Sequence, residues 1–240
     1  MRIALQISGE LRTLKYCYPN LKKYIFDVVG HENIDIFLHT WFKESDEQSS
    51  GHGDGIALLN PRCFKVENYE ELTFLHSMPR SMTMFYSIWK ANECRKEYEK
   101  MLEMNYNIII RYRTDCLFGE SPLTDCKLFY KEQKPFLAIP KAKRITNADG
   151  PVDMEEKSMI CDWFAYGTGD LMNIYCDTYN TWLKMGIYPV PESMLFLQCK
   201  MYGITEQTFL KRPSLDFFLI ESNGKIRGLD ECVKEESKNS

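Results

Sequence analysis

Signatures that would name a chemistry outright are missing from this 240-residue chain. It holds nine cysteines (Cys17, Cys63, Cys94, Cys116, Cys126, Cys161, Cys176, Cys199 and Cys232) but no CxxC pair. An odd number of thiols at irregular spacing fits neither a zinc ribbon nor a disulfide framework. Free thiols in a reducing compartment, most of them small core residues, fit it better. No Lys/Arg block stands out and the net charge is -4, so nucleic acid is not an expected partner. No stretch approaches the ~20 apolar residues of a bilayer span. Met1-Arg2-Ile3-Ala4-Leu5 runs straight into a strand pattern without the apolar core of a signal peptide. A cytoplasmic protein with no transmembrane segment is the expectation. Neither a GxGxxG nor a P-loop is present, and His39 and His76 lack metal-ligand spacing, which leaves them as structural histidines. No repeat or low-complexity linker divides the chain.

What is present is globular. Apolar residues make up 44% and charged residues 27%, which argues against disorder. The length suits one domain with a substantial core, expected over 1–230, followed by a charged tail at 231–240. Residues 2–7 read as a buried strand ending at Ser8-Gly9. Leu14, Tyr18, Leu21, Ile25 and Val28 recur at helical spacing, with Gly30 closing the helix. Residues 34–38 form the next strand, ending at His39-Thr40-Trp41. Strand, helix, strand in that order is the unit of a parallel sheet. Residues 43–60 and 141–158 are polar and read as long loops. Further strands are expected at 63–66, 107–113, 136–140, 163–166 and 216–221. Helices are expected at 81–103, 170–184 and, between Pro191 and Gly203, near 191–202. The fold class is α/β, a mostly parallel twisted sheet flanked by helices.

Ligands of open α/β sheets sit beyond the carboxyl ends of the strands, and that rule selects a few short segments. In Ser8-Gly9-Glu10-Leu11-Arg12, Gly9 allows close backbone approach, the following helix start favours an anion, and Arg12 can pair with phosphate. A plain turn with a surface arginine reads equally well. In Arg111-Tyr112-Arg113-Thr114-Asp115, charges follow three isoleucines, and buried charge is costly without a partner. This is either an Arg–Asp pair capping the strand, or Asp115 holding a divalent cation with arginine near a diphosphate. Asp162 and Glu192 are candidate general bases. Glu192 equally suits the first turn of a helix for electrostatic reasons alone. Lys90 and Asn92, on the helix at 81–103, can face the first turn and touch a nucleotide, or simply pack.

Taken in order, these segments carry a resemblance. Ile3-Ala4-Leu5-Gln6-Ile7-Ser8-Gly9-Glu10-Leu11-Arg12-Thr13, Asp35-Ile36-Phe37-Leu38-His39-Thr40-Trp41 and Met84-Phe85-Tyr86-Ser87-Ile88-Trp89-Lys90-Ala91-Asn92 come first. Ile110-Arg111-Tyr112-Arg113-Thr114-Asp115, Asp162-Trp163-Phe164-Ala165-Tyr166-Gly167 and Pro191-Glu192 follow. From residue 2 to residue 205 the chain resembles small viral and bacterial glycosyltransferases of the GT-A (Rossmann-like) fold, including lipopolysaccharide-synthesis and large-DNA-virus capsid-glycosylating enzymes. The resemblance implies a nucleotide-sugar donor, usually a UDP-sugar, and a glycan or glycoprotein acceptor. It implies donor contacts at Ser8, Gly9, Arg12, Lys90, Asn92 and Arg113. It also implies a manganese or magnesium ion on a DxD-like motif, here Arg113-Thr114-Asp115, with Asp115 as the ligand and arginine in place of the first acid. No histidine follows His76, so a C-terminal histidine ligand is absent. A nucleotidyltransferase, and a nucleotide-sugar-binding domain without transferase activity, are the alternatives.

Overall fold

The computed structural model describes residues 1–43, 52–144, 146–147, 150–151, 160–221 and 223–226. Its strands are β1 (Ile3–Ser8), β2 (Ile34–Phe42), β3 (Cys63–Asn68), β4 (Ile108–Arg113), β5 (Cys116–Phe118), β6 (Leu137–Ala138), β7 (Lys141–Arg144), β8 (Thr146–Asn147), β9 (Gly150–Pro151), β10 (Phe164–Gly167), β11 (Leu210–Lys211) and β12 (Ser214–Leu219). The helices are α1 (Leu14–Leu21), α2 (Asp27–Val29), α3 (His52–Leu59), α4 (Thr73–His76), α5 (Arg80–Met101), α6 (Cys126–Lys131), α7 (Gly169–Cys176), α8 (Thr178–Met185) and α9 (Pro191–Met201).

A seven-stranded sheet in the order β11-β6-β10-β4-β1-β2-β3 forms the centre. β1 runs parallel to β2 and β4, and β2 parallel to β3. β10 is antiparallel to β4 and to β6. Right-handed crossovers from β1 to β2 to β3 advance one way, and the crossover from β3 back to β4 advances the other way. That handedness places α1 and α3 on one face and α5 on the other. α5 packs against β1, β2 and β3, and against α7 and α8. Covered on both faces, β1 and β4 have no exposed side, which is why they read as continuous apolar runs rather than alternating ones. Ile108, Ile109 and Ile110 are all fully buried, each burial being worth about 1.5–3 kcal/mol.

The fold class is the expected one, and the differences are local. The helix expected after β1 is realised as α1, a π-helical turn at Lys22–Phe26 and α2, closed by Gly30 at φ 85°. Part of the expected loop at 43–60 is the helix α3, whose Gly55 packs on Leu11 and Leu14. Residues 141–144, 146–147 and 150–151 are strand where a loop was expected. The tail at 231–240 lies outside the described residues. The helix expected at 170–184 is two helices that break at Asp177, where the Thr178 hydroxyl donates to the Tyr175 carbonyl (2.7 Å) and the Asn180 amide to the Asp177 carboxylate (2.6 Å). These side-chain bonds supply the turn with alternatives to the helical ladder. β2 does not end at His39-Thr40-Trp41 but runs on to Phe42, because β3 offers it partners as far as Phe42↔Asn68. β5 pairs with β12 in a small side sheet. Asn20 of α1 clamps β5, donating to the Phe118 carbonyl and accepting from its N–H, both at 2.9 Å. The eight described cysteines are free thiols, all buried except the partly exposed Cys63.

One glycine is dictated by close approach. Gly167 faces Leu137 in the sheet, and a Cβ on it would lie 2.4 Å from the Phe136 carbonyl oxygen. Backbone cannot yield as a flexible side chain does. Gly167→Ala is therefore expected to cost about 1–3 kcal/mol, read as a lowered urea midpoint with an unchanged m-value.

Candidate functional site

β1 and β4 lie side by side with Ser8 opposite Arg113. The chain leaves this pair in opposite directions along the sheet, so the space past their carboxyl ends is a topological switch point. A cavity of about 540 Å³ opens there. Ser8, Gly9, Arg12 and Thr13 line it from the first turn, Trp41 and Lys43 from the end of β2, and Tyr69 from the turn after β3. Arg80, Met84 and Ser87 of α5, Arg111 and Arg113 of β4, and then Thr114, Asp115, Asp162 and Pro191 complete the wall.

The floor is held by bonds between distant segments. Gly9, at φ 110°, donates its N–H to the His39 carbonyl (3.1 Å). A Cβ at Gly9 would meet nothing within 4 Å, so glycine is present here for its backbone conformation and not for want of room. The Thr114 hydroxyl donates to the Glu10 carbonyl (2.7 Å), and the Thr13 hydroxyl to the Thr114 carbonyl (3.1 Å). The turn after β1 and the segment carrying Asp115 are thus one unit.

Arg113 and Asp115 form an ion pair in which Nη2 donates a hydrogen bond to Oδ2 at 2.9 Å and Nε lies 2.6 Å from Oδ1 without hydrogen-bond geometry. Burial works against the Arg113 charge, but the Asp115 and Asp162 carboxylates outweigh it and hold its pKa above the usual value. Arg111 is 1% exposed and donates to the Trp163 carbonyl, while its Nε has no hydrogen-bond partner among the described residues. The same holds for Oδ1 of Asp162, which is 4% exposed, and for Oδ1 of Asp115. Unspent buried polar atoms on charged side chains are uncommon, and here all three belong to the cavity wall. Arg12 sits at the mouth, paired with Glu10 at 3.0 Å. Cationic wall groups (Arg12, Lys43, Arg80, Arg111 and Arg113) exceed the acidic ones (Glu10, Asp115 and Asp162). The opposite wall is aromatic, with Trp41 against Tyr69 at 5.8 Å and the Lys43 ammonium over the Tyr69 ring at 5.0 Å.

Glu192 opens α9 next to this wall, and its carbonyl accepts from Ile160 N–H at 3.4 Å. Burial first, and the neighbouring Asp162 second, raise its pKa above the usual carboxylate value. A carboxyl with a raised folded pKa contributes stability that is full at acid pH and lost as the pH rises through that pKa. Glu192→Gln is therefore expected to raise the melting temperature at pH 7.5, and the gain is expected to vanish near pH 4.

Of the residues expected to form the site, Ser8, Gly9, Arg12, Arg113, Asp115 and Asp162 line one cavity, and Glu192 adjoins it through Asp162. Lys90 and Asn92 are not part of the lining. Asn92 accepts from Gln6 at 2.7 Å and from Arg95 at 2.9 Å, and Lys90 lies over the rings of Trp89 and Tyr86. Asn92 ties α5 to Gln6 of β1, and Lys90 covers rings of its own helix. Asn92, five residues after Ser87, is on another side of the helix, and Lys90 is one turn further along it than Ser87, which does reach the cavity. Sequence reading left out Arg80, Tyr69, Lys43 and Ser87. Arg111 was legible, since it shares a strand face with Arg113.

Among the described residues, no three His, Cys, Asp or Glu side chains converge as a metal cluster. Asp115 is hydrogen-bonded to Arg113 through Oδ2, whereas its Oδ1, 2.6 Å from Arg113 Nε, makes no hydrogen bond among the described residues. With a guanidinium against its carboxylate and no such cluster around it, Asp115 does not by itself make a divalent-cation site. No helix among the described residues is long and apolar enough to cross a membrane.

The chain matches no protein-family model and no curated protein. Among solved structures, it is similar to the crystal structure of 4-diphosphocytidyl-2C-methyl-D-erythritol synthase from Anaerococcus prevotii, at 12% identity and a TM-score of 0.48, covering 99% of this chain and 95% of that one.

Proposed function

We propose that the chain is a glycosyltransferase that takes a sugar from a nucleoside diphosphate donor, a UDP-sugar by the resemblance, and passes it to a hydroxyl of a glycan or glycoprotein. The observation that carries this reading is the pairing, in one cavity, of a guanidinium wall with the buried carboxylate of Asp162. The planar fork of an arginine guanidinium meets two oxygens of a diphosphate at a time. As the bond to the sugar breaks, negative charge grows on the diphosphate, and fixed cations aimed at it stabilise the transition state. Arg111 and Arg113 are fixed in this way by the strand and by their partners. Asp162 is an acceptor for the proton leaving the incoming hydroxyl. The Trp41–Tyr69 wall offers the nucleobase an aromatic surface. Because Asp115 is paired with Arg113, the charge of the diphosphate falls to arginine in this reading, and no step runs through a metal.

The test is thermal-shift titration with a panel of UDP- and GDP-sugars, with manganese and with EDTA. Stabilisation by UDP and by a UDP-sugar, unchanged by EDTA, is expected. If no nucleoside diphosphate stabilises the fold, the proposal fails. If UDP-sugars bind but no UDP is released with any hydroxyl acceptor or water, the chain is a binding domain and not a transferase.

A further inference from the structure

A chain of hydrogen bonds leads away from the cavity wall into the sheet. Ser87 of α5 lines the cavity, and its hydroxyl lies 2.7 Å from Nδ1 of His39 on β2. Nε2 of the same ring lies 2.6 Å from Glu67 on β3, whose carboxylate is 26% exposed. The Tyr86 hydroxyl donates to the other oxygen of Glu67 at 3.1 Å. His39 is fully buried, edge-on to the rings of Trp41 and Tyr86.

The chemistry of each member sets where the protons are. Its bond from His39 holds the Glu67 carboxyl below the usual range, so it is ionised at neutral pH and can only accept. Nε2 must therefore carry a proton. Burial lowers the His39 pKa against the opposing pull of Glu67, so the ring is neutral and has one N–H. Nδ1 is then a lone pair, and the Ser87 O–H must donate to it. The His39 carbonyl, 3.4 Å from Ser87 Oγ, is a longer and weaker competitor for that proton. With its hydrogen committed, Ser87 Oγ turns only lone pairs towards anything else.

We propose that Glu67 and His39 fix Ser87 as an acceptor-only atom in the cavity wall, and so reserve that wall for a ligand hydroxyl and turn phosphate away from it. Phosphate oxygens are acceptors and find no donor at Ser87, whereas the guanidiniums of Arg111 and Arg113 on β4, and of Arg80 about two turns before Ser87, are donors. The sugar hydroxyls of a nucleoside diphosphate sugar are the matching group. This assignment rests on the proposed function, and it gives the cavity a direction, with diphosphate to the arginines of β4 and polyol to Ser87. Ser87 is only 1% exposed, so a hydroxyl that reaches it is enclosed, and a ligand group without a proton to give leaves both oxygens unmatched. His39 and Glu67 act through Ser87 and are positioning residues.

Two measurements test it. In protein labelled with 15N at histidine, the His39 ring at pH 7 is expected to show a protonated Nε2 and a bare Nδ1. Glu67→Gln, whose amide can either donate or accept, is expected to release that preference and shift both ring nitrogens. In binding, Ser87→Ala is expected to weaken UDP-glucose about fivefold, the worth of one neutral hydrogen bond, and to leave UDP unchanged. Glu67→Gln is expected to act in the same direction on UDP-glucose. A ring protonated at Nδ1, or at both nitrogens, overturns the proposal whatever ligand binds. So does an equal effect of Ser87→Ala on UDP and UDP-glucose, or none on either. Failure of the wild-type protein to bind both nucleotides is a different result, because it removes the proposed function while the nitrogen spectrum still reports the relay.

Discussion

Arg113→Asp is expected to turn a metal-indifferent site into a metal-dependent one. In the wild-type protein, the Arg113 guanidinium is paired with Asp115, and EDTA is expected to change the affinity for UDP by less than about twofold, since the cation's place beside this carboxylate is taken by arginine. Residues 113 and 115 stand two positions apart at the end of β4, so two aspartates there would be near neighbours facing the cavity. Without a cation their like charges repel, and the diphosphate loses a charge-assisted partner worth about 1.5–3 kcal/mol, or roughly tenfold to a hundredfold in affinity. Millimolar manganese relieves the repulsion and bridges to the diphosphate. Calorimetric titration of the variant with UDP should therefore show weak binding in EDTA and recovery in manganese. Its melting temperature should rise with manganese where that of the wild type does not. Loss of wild-type binding in EDTA would reverse the assignment and return the charge-neutralising role to a metal on Asp115.

The second large effect falls on turnover and not on binding. Asp162 is buried on the cavity wall, and its Oδ1 makes no hydrogen bond in the fold. Asp162→Asn keeps the shape, removes the base, and breaks no bond at Oδ1. UDP release from a UDP-sugar, to acceptor or to water, is expected to fall by about 10²–10⁴, while the affinity for UDP changes only a few-fold. Retention of more than a third of the wild-type rate would exclude Asp162 as the proton acceptor. Glu192, whose carboxyl responds to Asp162, would then be next in line. A drop in affinity equal to the drop in rate would make Asp162 a binding group.

How much of this was written in the sequence differs from element to element. β1, β4 and α5 were legible because their signals are local: an apolar run, a 3.6-residue period, a glycine or proline at an end. β5, β11 and α6 were not, since two- and three-residue strands and a six-residue helix carry no period. The extension of β2 through His39 was hidden because it depends on β3, whose Glu67 and Asn68 pair with Trp41 and Phe42. Lys90 and Asn92 looked like donor contacts beside Ser87. Position around the helix for Asn92, and along it for Lys90, settled which of these neighbours meets the cavity.

By itself, the sequence determined the order of strands and helices, the parallel centre of the sheet and the position of Asp115 past a strand end, because apolar periodicity and strand-end rules act within a few residues. The tertiary structure alone decided what those charges do. Arg111 reaches Trp163, and His39 joins Glu67 to Ser87, across 52, 28 and 48 residues of chain. Whether a buried charge or ring nitrogen is satisfied, free or locked in one tautomer depends on the group that packing brings to it, and such a group need not be near in sequence.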